Sequence, residues 1–469
     1  MEIKHNQILI PSENPFENCK LDREKYANVL TNIIDSYSTG FVLALNNQWG
    51  AGKTTFIKMW QQDLINKEYQ TIYFNAWEND FEDNPLTALM GELKALTKSS
   101  TKEKFKKTLK NAAVLSKHVA PVIAKAIADK YINTDSLKEA IVGITNGLSD
   151  IFENEVNEYS NKKKGIQDFR ESLSEYISSV SEDKPLIFIV DELDRCRPNY
   201  AVSILEQIKH FFTVQNIVFI LSIDKTQLGS AIKGVYGSES IDSTEYLRRF
   251  IDIEYSIPYP AEDIFYKYLY DYFKFDEFFQ SSERRSYSEL TEDKRHFLST
   301  CKLLFSKNNI TLRQQEKIFS LARLALRSFR NNEYVVPHIF LFLSFVKINK
   351  EEFYKNLINK KLSISEVQAE FLSIIESSLY EETESELLWL EVYLINFYHN
   401  YVDNNYHKEK LFELNKELGE NELKFDSIIN KSLNKQFVRF LEGISRVRGE
   451  GNLDLSYFIK RIELIEDIK

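Results

Sequence analysis

The chain runs to 469 residues, 43% of them hydrophobic and 28% charged, with a formal net charge of −10. That length points to two or three domains, and the 33 Phe and 25 Tyr exclude extended disorder. The acidic balance excludes whole-surface attraction to nucleic acid or anionic lipid, so either partner would need a local basic patch.

In chain order, Met1 to Pro11 holds no apolar core of a secretion signal. The three cysteines, Cys19, Cys196 and Cys301, are scattered without metal or disulfide spacing and suit a reducing compartment, so the cytoplasm is the expected location. A helix is expected from about Asp22, with Tyr26, Leu30, Ile33 and Ile34 on one face and Gly40 near its end.

Five apolar residues, Phe41 to Leu45, then make a buried strand, and Phe56, Ile57, Trp60 and Leu64 return at helical spacing. Between them lies a loop with two glycines. A strand, such a loop and a helix in that order form a phosphate cradle: glycines let backbone N–H groups turn inward, and the helix N-terminus adds the positive end of its dipole. The cradle residues are Asn47, Gln48, Trp49, Gly50, Ala51, Gly52, Lys53, Thr54 and Thr55, with Lys53 reaching the β and γ phosphates and Thr54 placing its hydroxyl on Mg²⁺. Against the pattern G-x-x-x-x-G-K-[ST], Asn47 stands at the first glycine position. Asn tolerates positive φ best among the other residues, so a turn there is expected. Only 14 of the 469 residues are glycine, under the usual share of about 7%, so two of them flanking Ala51 speak for a backbone requirement.

Thr71 to Glu78 reads as a short strand whose end carries Asn75, Trp77 and Glu78. Trp77 is expected in the core, with a place in the site wall as the alternative; Asn75 and Glu78 are secondary candidates. Residues 80–184 form a helical insertion with a basic run from Lys102 to Lys110 and an apolar stretch, Ala112 to Ala128, which Lys117, His118 and Lys125 interrupt. That stretch fits an amphipathic helix docked on protein, with attachment to an anionic lipid surface as the alternative, rather than a membrane span. The basic run keeps nucleic acid open as a partner, although the overall charge does not indicate one.

Pro185 to Val190 is a buried strand that runs into Asp191 and Glu192. Unpaired buried carboxylates are costly, so two of them at a strand end call for a function. Asp191 would hold Mg²⁺ through its water shell, and Glu192 would polarise an attacking water. A third apolar strand, Ile217 to Leu221, ends in Ser222 and Asp224; Asp224 suits a γ-phosphate sensor or, equally, a cap for the next helix. Arg248 and Arg249 precede an edge strand in which Ile251, Ile253, Tyr255 and Ile257 alternate with polar residues. The pair is a candidate for transition-state charge, in its own site or a neighbour's, against the plainer reading of surface ion pairs; action on a neighbour would require a homo-oligomer. From Ala261 onward helices dominate. Thr311 caps one of them, and Arg313 beside it is a candidate to reach a nucleotide from a lid. The acids Glu381, Glu382, Glu384 and Glu386 are expected as a solvated helix start.

The stretches Trp49 to Thr54, Phe74-Asn75-Ala76-Trp77 and Asp191-Glu192-Leu193-Asp194-Arg195-Cys196 together resemble the KAP family of P-loop NTPases, with weaker echoes at Asp22-Arg23, Tyr246-Leu247 and Thr311-Leu312-Arg313. The resemblance covers about residues 15 to 345. Asn47 and Glu192 are its departures, since relatives carry glycine at the first and often aspartate at the second. It implies an α/β P-loop core with a mainly parallel sheet, a helical lid, ATP and Mg²⁺ as ligands and protein partners encoded nearby. Soluble bacterial members are associated with antiphage defence, including the ATPase of the Qat system.

The expected organisation is a core over 1–260 with its insertion at about 80–184, a helical lid over 261–345 and a mostly α-helical C-terminal domain over 346–469. The expected activity is Mg-dependent ATP hydrolysis. Its rivals are an ATP-binding scaffold with negligible hydrolysis, whose C-terminal helices bind a partner, and a phosphotransferase using the same loop. ATP is favoured over GTP because no N-K-x-D signature occurs.

Overall fold

The structure is a computed structural model describing residues 8–37, 40–82, 84–118, 148–181, 183–261, 263–305, 310–402, 411–414, 421–446 and 452–465. It divides into two compact units, Ile8–Tyr259 and a second one containing Pro260–Lys469.

The first unit is built on a parallel sheet. The strands β1 (Val42–Asn46), β2 (Thr71–Asn75), β3 (Leu186–Asp191), β4 (Ile217–Ile223) and β5 (Ile253–Tyr255) are ordered β2-β3-β4-β1-β5. All the pairings are parallel, so every carboxyl end lies on one edge. The three inner strands are apolar runs because both their faces are covered, the signature of a buried parallel sheet.

Alternation sorts these side chains into two cores. Leu43, Leu45, Ile187, Ile189, Val218 and Ile220 face α1 (Glu24–Ser36) and α2 (Lys53–Asn66), with Trp60 among them. Its Nε1 donates to Thr31 Oγ1 at 3.0 Å and so ties α2 to α1. Val42, Ala44, Phe74, Phe188, Val190, Phe219 and Leu221 face the other side. There they meet α3 (Pro85–Lys94), α4 (Lys102–His118), α5 (Leu148–Val180), α6 (Pro198–Phe211) and α7 (Lys225–Tyr236). Phe188 stacks on Phe219 at 5.1 Å between centroids. Each such buried ring stabilises the sheet by about 1.5–3 kcal/mol. Gly40 leads into β1 at φ +80°, and a Cβ there would come within 2.7 Å of Ile217 O and 2.9 Å of Val214 O.

Helices α3 to α5 belong to the expected insertion, and residues 119–147, with most of the interrupted apolar stretch, lie outside the described residues. Among the described residues no helix is long and apolar enough to cross a membrane.

The second unit is mostly helical. Its described helices include α8 (Asp293–Phe305), α9 (Leu312–Ala325), α10 (Pro337–Asn349), α11 (Glu384–Val402) and α12 (Leu455–Ile462). Every residue of α10 from Pro337 to Val346 is buried, as befits a helix hydrophobic all round, and α8, α9, α11 and α12 pack against it. Thr311 caps α9 in a capping box with Gln314. The expectation of a wholly solvated acidic stretch is corrected at Glu386. Its carboxylate accepts from Ser299 Oγ at 3.2 Å and meets His338 Nε2 at 3.1 Å, because the turn of α11 that carries it is packed rather than free.

Candidate active site

Register builds the site. Asn75 lies beside Asp191, and Asp191 beside Ser222, in one row at the carboxyl edge. Ile187 and Ile189 face α2, so Asp191, two residues further, faces it too. Tyr73 OH donates to Asp191 Oδ2 at 2.9 Å, and the Glu192 N–H donates to Oδ1 at 2.9 Å. Burial, and then Asp191 itself, push the Tyr73 phenol well above its ordinary pKa, so it stays a donor.

Period-two alternation would send Glu192 to the opposite face. It does not go there, because Glu192 adopts φ +61°, a left-handed conformation costing about 1–3 kcal/mol in a residue with a side chain. The turn brings its carboxylate back to α2. Oε1 accepts from Thr54 Oγ1 at 3.1 Å, and Oε2 pairs with Arg195 Nε at 2.5 Å. Burial raises the Glu192 pKa, Asp191 adds to this, and Arg195 opposes both.

The loop between β1 and α2 has Gly50 at φ +80° and Gly52 at φ +79°, and Gly52 is the N-cap of α2. Helix α2 therefore opens with its free N–H groups at the strand edge. Lys53 is buried, and its Nζ donates to Asn47 O and, at 3.4 Å, to Gln48 O. Burial lowers the Lys53 pKa, while Asp194, Asp224, Asp191 and Glu192 all act to raise it.

Asn47 corrects an expectation: it is not among the residues with positive φ. Its side chain instead donates to Ile257 O at 2.8 Å and accepts from Ile257 N at 2.9 Å, as a strand neighbour would. That pairing fixes the start of the loop beside Ile257. Gln48 Nε2 donates to Tyr259 OH. Trp49 is pinned twice: its N–H donates to Asp224 Oδ2 at 3.2 Å and its indole Nε1 to Asp194 Oδ2 at 2.5 Å. Asp224 caps α7 through Thr226 N and Gln227 N, so the cap alternative describes its Oδ1 while Oδ2 holds the loop.

Trp77 is not a core ring. It is 54% exposed, because it lies beyond the end of β2, where the Arg195 guanidinium covers its ring from one side. Asn75 Oδ1 accepts from Glu78 N at 3.3 Å and shapes that turn. Arg248 is exposed and pairs with Glu245 at 2.9 Å; Arg249 is exposed and ends the same helix. Among the described contacts neither arginine reaches Lys53, Thr54, Asp191 or Glu192. Arg313 is exposed in the first turn of α9, in the second unit.

Three contributors escaped the sequence reading except as parts of motifs. Asp194 joins the loop to β4 by accepting from Asp224 N at 2.9 Å as well as from Trp49. Arg195 sits between the Trp49 and Trp77 rings, at 5.8 and 5.7 Å. Arg23, 5% exposed, donates to Ala51 O at 2.8 Å and Gly52 O at 3.1 Å. Its signals in the sequence were its position one residue before a helix and the weak family echo at Asp22-Arg23.

The residues fit a nucleotide with Mg²⁺. Thr54 and Asp191 offer hard oxygens, and Mg²⁺ takes one or two carboxylates and keeps waters, so a cage of three or more ligating side chains is not required. None occurs among the described residues. Ser222 Oγ, buried beside Asp191 with no described partner, is a polar atom such a water shell would satisfy.

Comparison with known proteins bears on the fold and the loop. A family model described as the KAP family P-loop domain matches residues 23–330. The chain is similar to the uncharacterized protein MJ0182 of Methanocaldococcus jannaschii, 30% identical over 173 residues that cover 32% of this chain and 88% of that protein. Among solved structures, the Aeropyrum pernix ORC2 protein in its ADPNP-ADP complexes aligns with 95% of this chain and 86% of its own at 13% identity and a TM-score of 0.32.

Proposed function

The chain belongs to the KAP family of P-loop domains, and from that premise we propose that it is a Mg-dependent ATP hydrolase acting as a nucleotide-driven switch or motor component. One observation carries the reading: Thr54 Oγ1 and the Glu192 carboxylate meet at 3.1 Å, on the face where Asp191 ends β3 and Lys53 opens α2. A hydroxyl, two acids and a lysine on one edge suit phosphate on one side and water on the other.

In this mechanism the N–H groups at the start of α2 and the Lys53 ammonium bind the β and γ phosphates. Thr54 and Asp191 would hold Mg²⁺, which would supply positive charge against the phosphates. Glu192 orients the attacking water and takes its proton as the water oxygen bonds to the γ-phosphorus and the bond to the β–γ bridging oxygen breaks, ADP leaving with that electron pair and inorganic phosphate as the other product. Tyr73 and the Glu192 N–H keep the Asp191 carboxylate aimed at the metal position. Residues 261–345 act as a lid, residues 346–469 transmit or receive the nucleotide state, and Arg313 is the lid's candidate contact. Arg248 and Arg249 retain a proposed role only across an interface between copies.

The finer part of the proposal is cellular: work in the cytoplasm within a multi-protein bacterial antiphage system, on family analogy alone. Deleting the gene from its native locus should raise phage plating efficiency; an unchanged efficiency for every phage tested would count against it.

The biochemical reading is tested by phosphate release from ATP. Wild type should release inorganic phosphate to water in a Mg-dependent manner, and Lys53→Ala should bind no ATP. Binding without release would favour the ATP-binding scaffold. Release that requires an added acceptor would favour a phosphotransferase.

A further inference from the structure

Arg195 occupies the oxygen of Glu192 that Thr54 leaves free. With Oε1 accepting from Thr54 at 3.1 Å and Oε2 paired with Arg195 at 2.5 Å, both carboxylate oxygens are engaged, so the pair must open before Oε2 can take a proton from water. What opens it is legible around the arginine. The contact to Glu192 runs from Nε, at the near edge of the guanidinium, and the side chain remains 24% exposed, so its far edge can turn to a ligand. A guanidinium places its donors in a planar fork matched to phosphate oxygens.

The flanking rings favour the same outcome. Trp49 belongs to the phosphate loop and Trp77 follows β2, so the guanidinium is held over the loop by two aromatic faces rather than by another acid. Such contacts strengthen when water leaves and keep an arginine preorganised for a more highly charged partner. Thr54, Glu192 and Arg195 form one connected line from the metal side of the loop outward. The outermost phosphate is the group that line would meet.

We propose that Arg195 is a γ-phosphate-binding residue which this chain supplies to its own site, and that a bound triphosphate draws its guanidinium away from Glu192, freeing that carboxylate to orient water. The inference rests on the ATPase reading and assigns to Arg195 the charge that Arg248 and Arg249 are not positioned to supply within one chain.

The experiment measures affinity for a non-hydrolysable ATP analogue and for ADP, both with Mg²⁺, in wild type, Arg195→Met, Arg195→Lys and Lys53→Ala. Arg195→Met should lose triphosphate affinity by roughly 10- to 100-fold, the span of one charge-assisted hydrogen bond, and keep wild-type affinity for ADP. Retained ADP binding also demonstrates a folded site. Arg195→Lys, which keeps the charge without the fork, should recover part of the loss. An unchanged ratio of triphosphate to diphosphate affinity in Arg195→Met overturns the inference, and equal losses for both nucleotides overturn it too. If Arg195→Met does not fold, the ratio in Arg195→Lys decides by the same criterion. Failure of wild type to bind either nucleotide, or of Lys53→Ala to lose binding, would strike the ATPase reading instead.

Discussion

Arg23 carries its charge into the interior, and the groups acting on it, Cys19, Tyr26 and Tyr259, include no carboxylate. Burial lowers its pKa, yet an arginine stays protonated, and its charge is spent on two carbonyls of the phosphate loop. Peptides whose C=O groups are held outward present their N–H groups inward, so Arg23 buttresses the cradle from behind. Arg23→Met should weaken ATP binding about tenfold, with Arg23→Lys intermediate, as judged by titration with a fluorescent ATP analogue. Equal affinity in all three proteins would remove Arg23 from this role. At this scale the sequence was most informative where chemistry forced residue type. Gly50, Gly52, Lys53, Thr54 and the acids after β3 could be read directly, because a phosphate cradle tolerates few substitutes. Arg195 and Trp77 could not. An arginine's partner and a tryptophan's exposure depend on what the fold brings beside them.

Elements add constraints that no single side chain reveals. Gly40 turns the chain into β1 against the carbonyls of Val214 and Ile217, so Gly40→Ala meets both a left-handed φ and a close approach to backbone. It should destabilise the first unit by about 1–3 kcal/mol from backbone strain alone, read as a lower urea midpoint; an unchanged midpoint would show that the loop relaxes freely. In the second unit, α8 and α10 bring His296 and His338 to 4.7 Å between ring centroids, with Glu386 of α11 against His338 and Arg295, Glu292 and Asp293 around them. Burial, then His338 and Arg295, lower the His296 pKa from 6.5 to about 4. The unfolded chain thus takes up a proton that folded His296 refuses, and its contribution to stability is present above pH 6.5 and lost as the pH falls to about 4. Glu386, held at about 2 first by its hydrogen bond with His338, contributes above pH 4.5 and loses that as the pH falls towards 2. The thermal midpoint of wild type should therefore fall between pH 6.5 and 4.5 more steeply than that of His296→Gln. Parallel curves would contradict the assignment. Apolar runs marked the strands: β1 and β3 fell within one residue of expectation, whereas β2 stops three residues short of Glu78, β4 runs two residues past Leu221 and β5 keeps only the middle of the run from Ile251 to Ile257. The packing of Glu386 was hidden because its neighbours come from helices far away in the chain.

For the whole molecule, the sheet order β2-β3-β4-β1-β5 leaves only β4 between β3, which ends in Asp191, and β1, whose following loop leads to Lys53 at the start of α2. That order is a long-range property. Composition and periodicity supplied the strands, and register between segments over a hundred residues apart, β1 with β4 and β2 with β3, supplied the site. The alternation that puts Asp191 on the α2 face would have sent Glu192 away; its left-handed turn returns it to Thr54, and local backbone of that kind cannot be read from residue order. The account's central claim is that this returned carboxylate drives hydrolysis at a site formed by Lys53, Thr54 and Asp191. The most direct measurement compares Mg·ATP binding and phosphate release in wild type and Glu192→Gln. The amide keeps the shape and can still meet Thr54, so ATP affinity should stay within about threefold of wild type while turnover falls by roughly 100- to 1,000-fold, the share a general base supplies. A Glu192→Gln protein that releases phosphate at the wild-type rate would contradict the account.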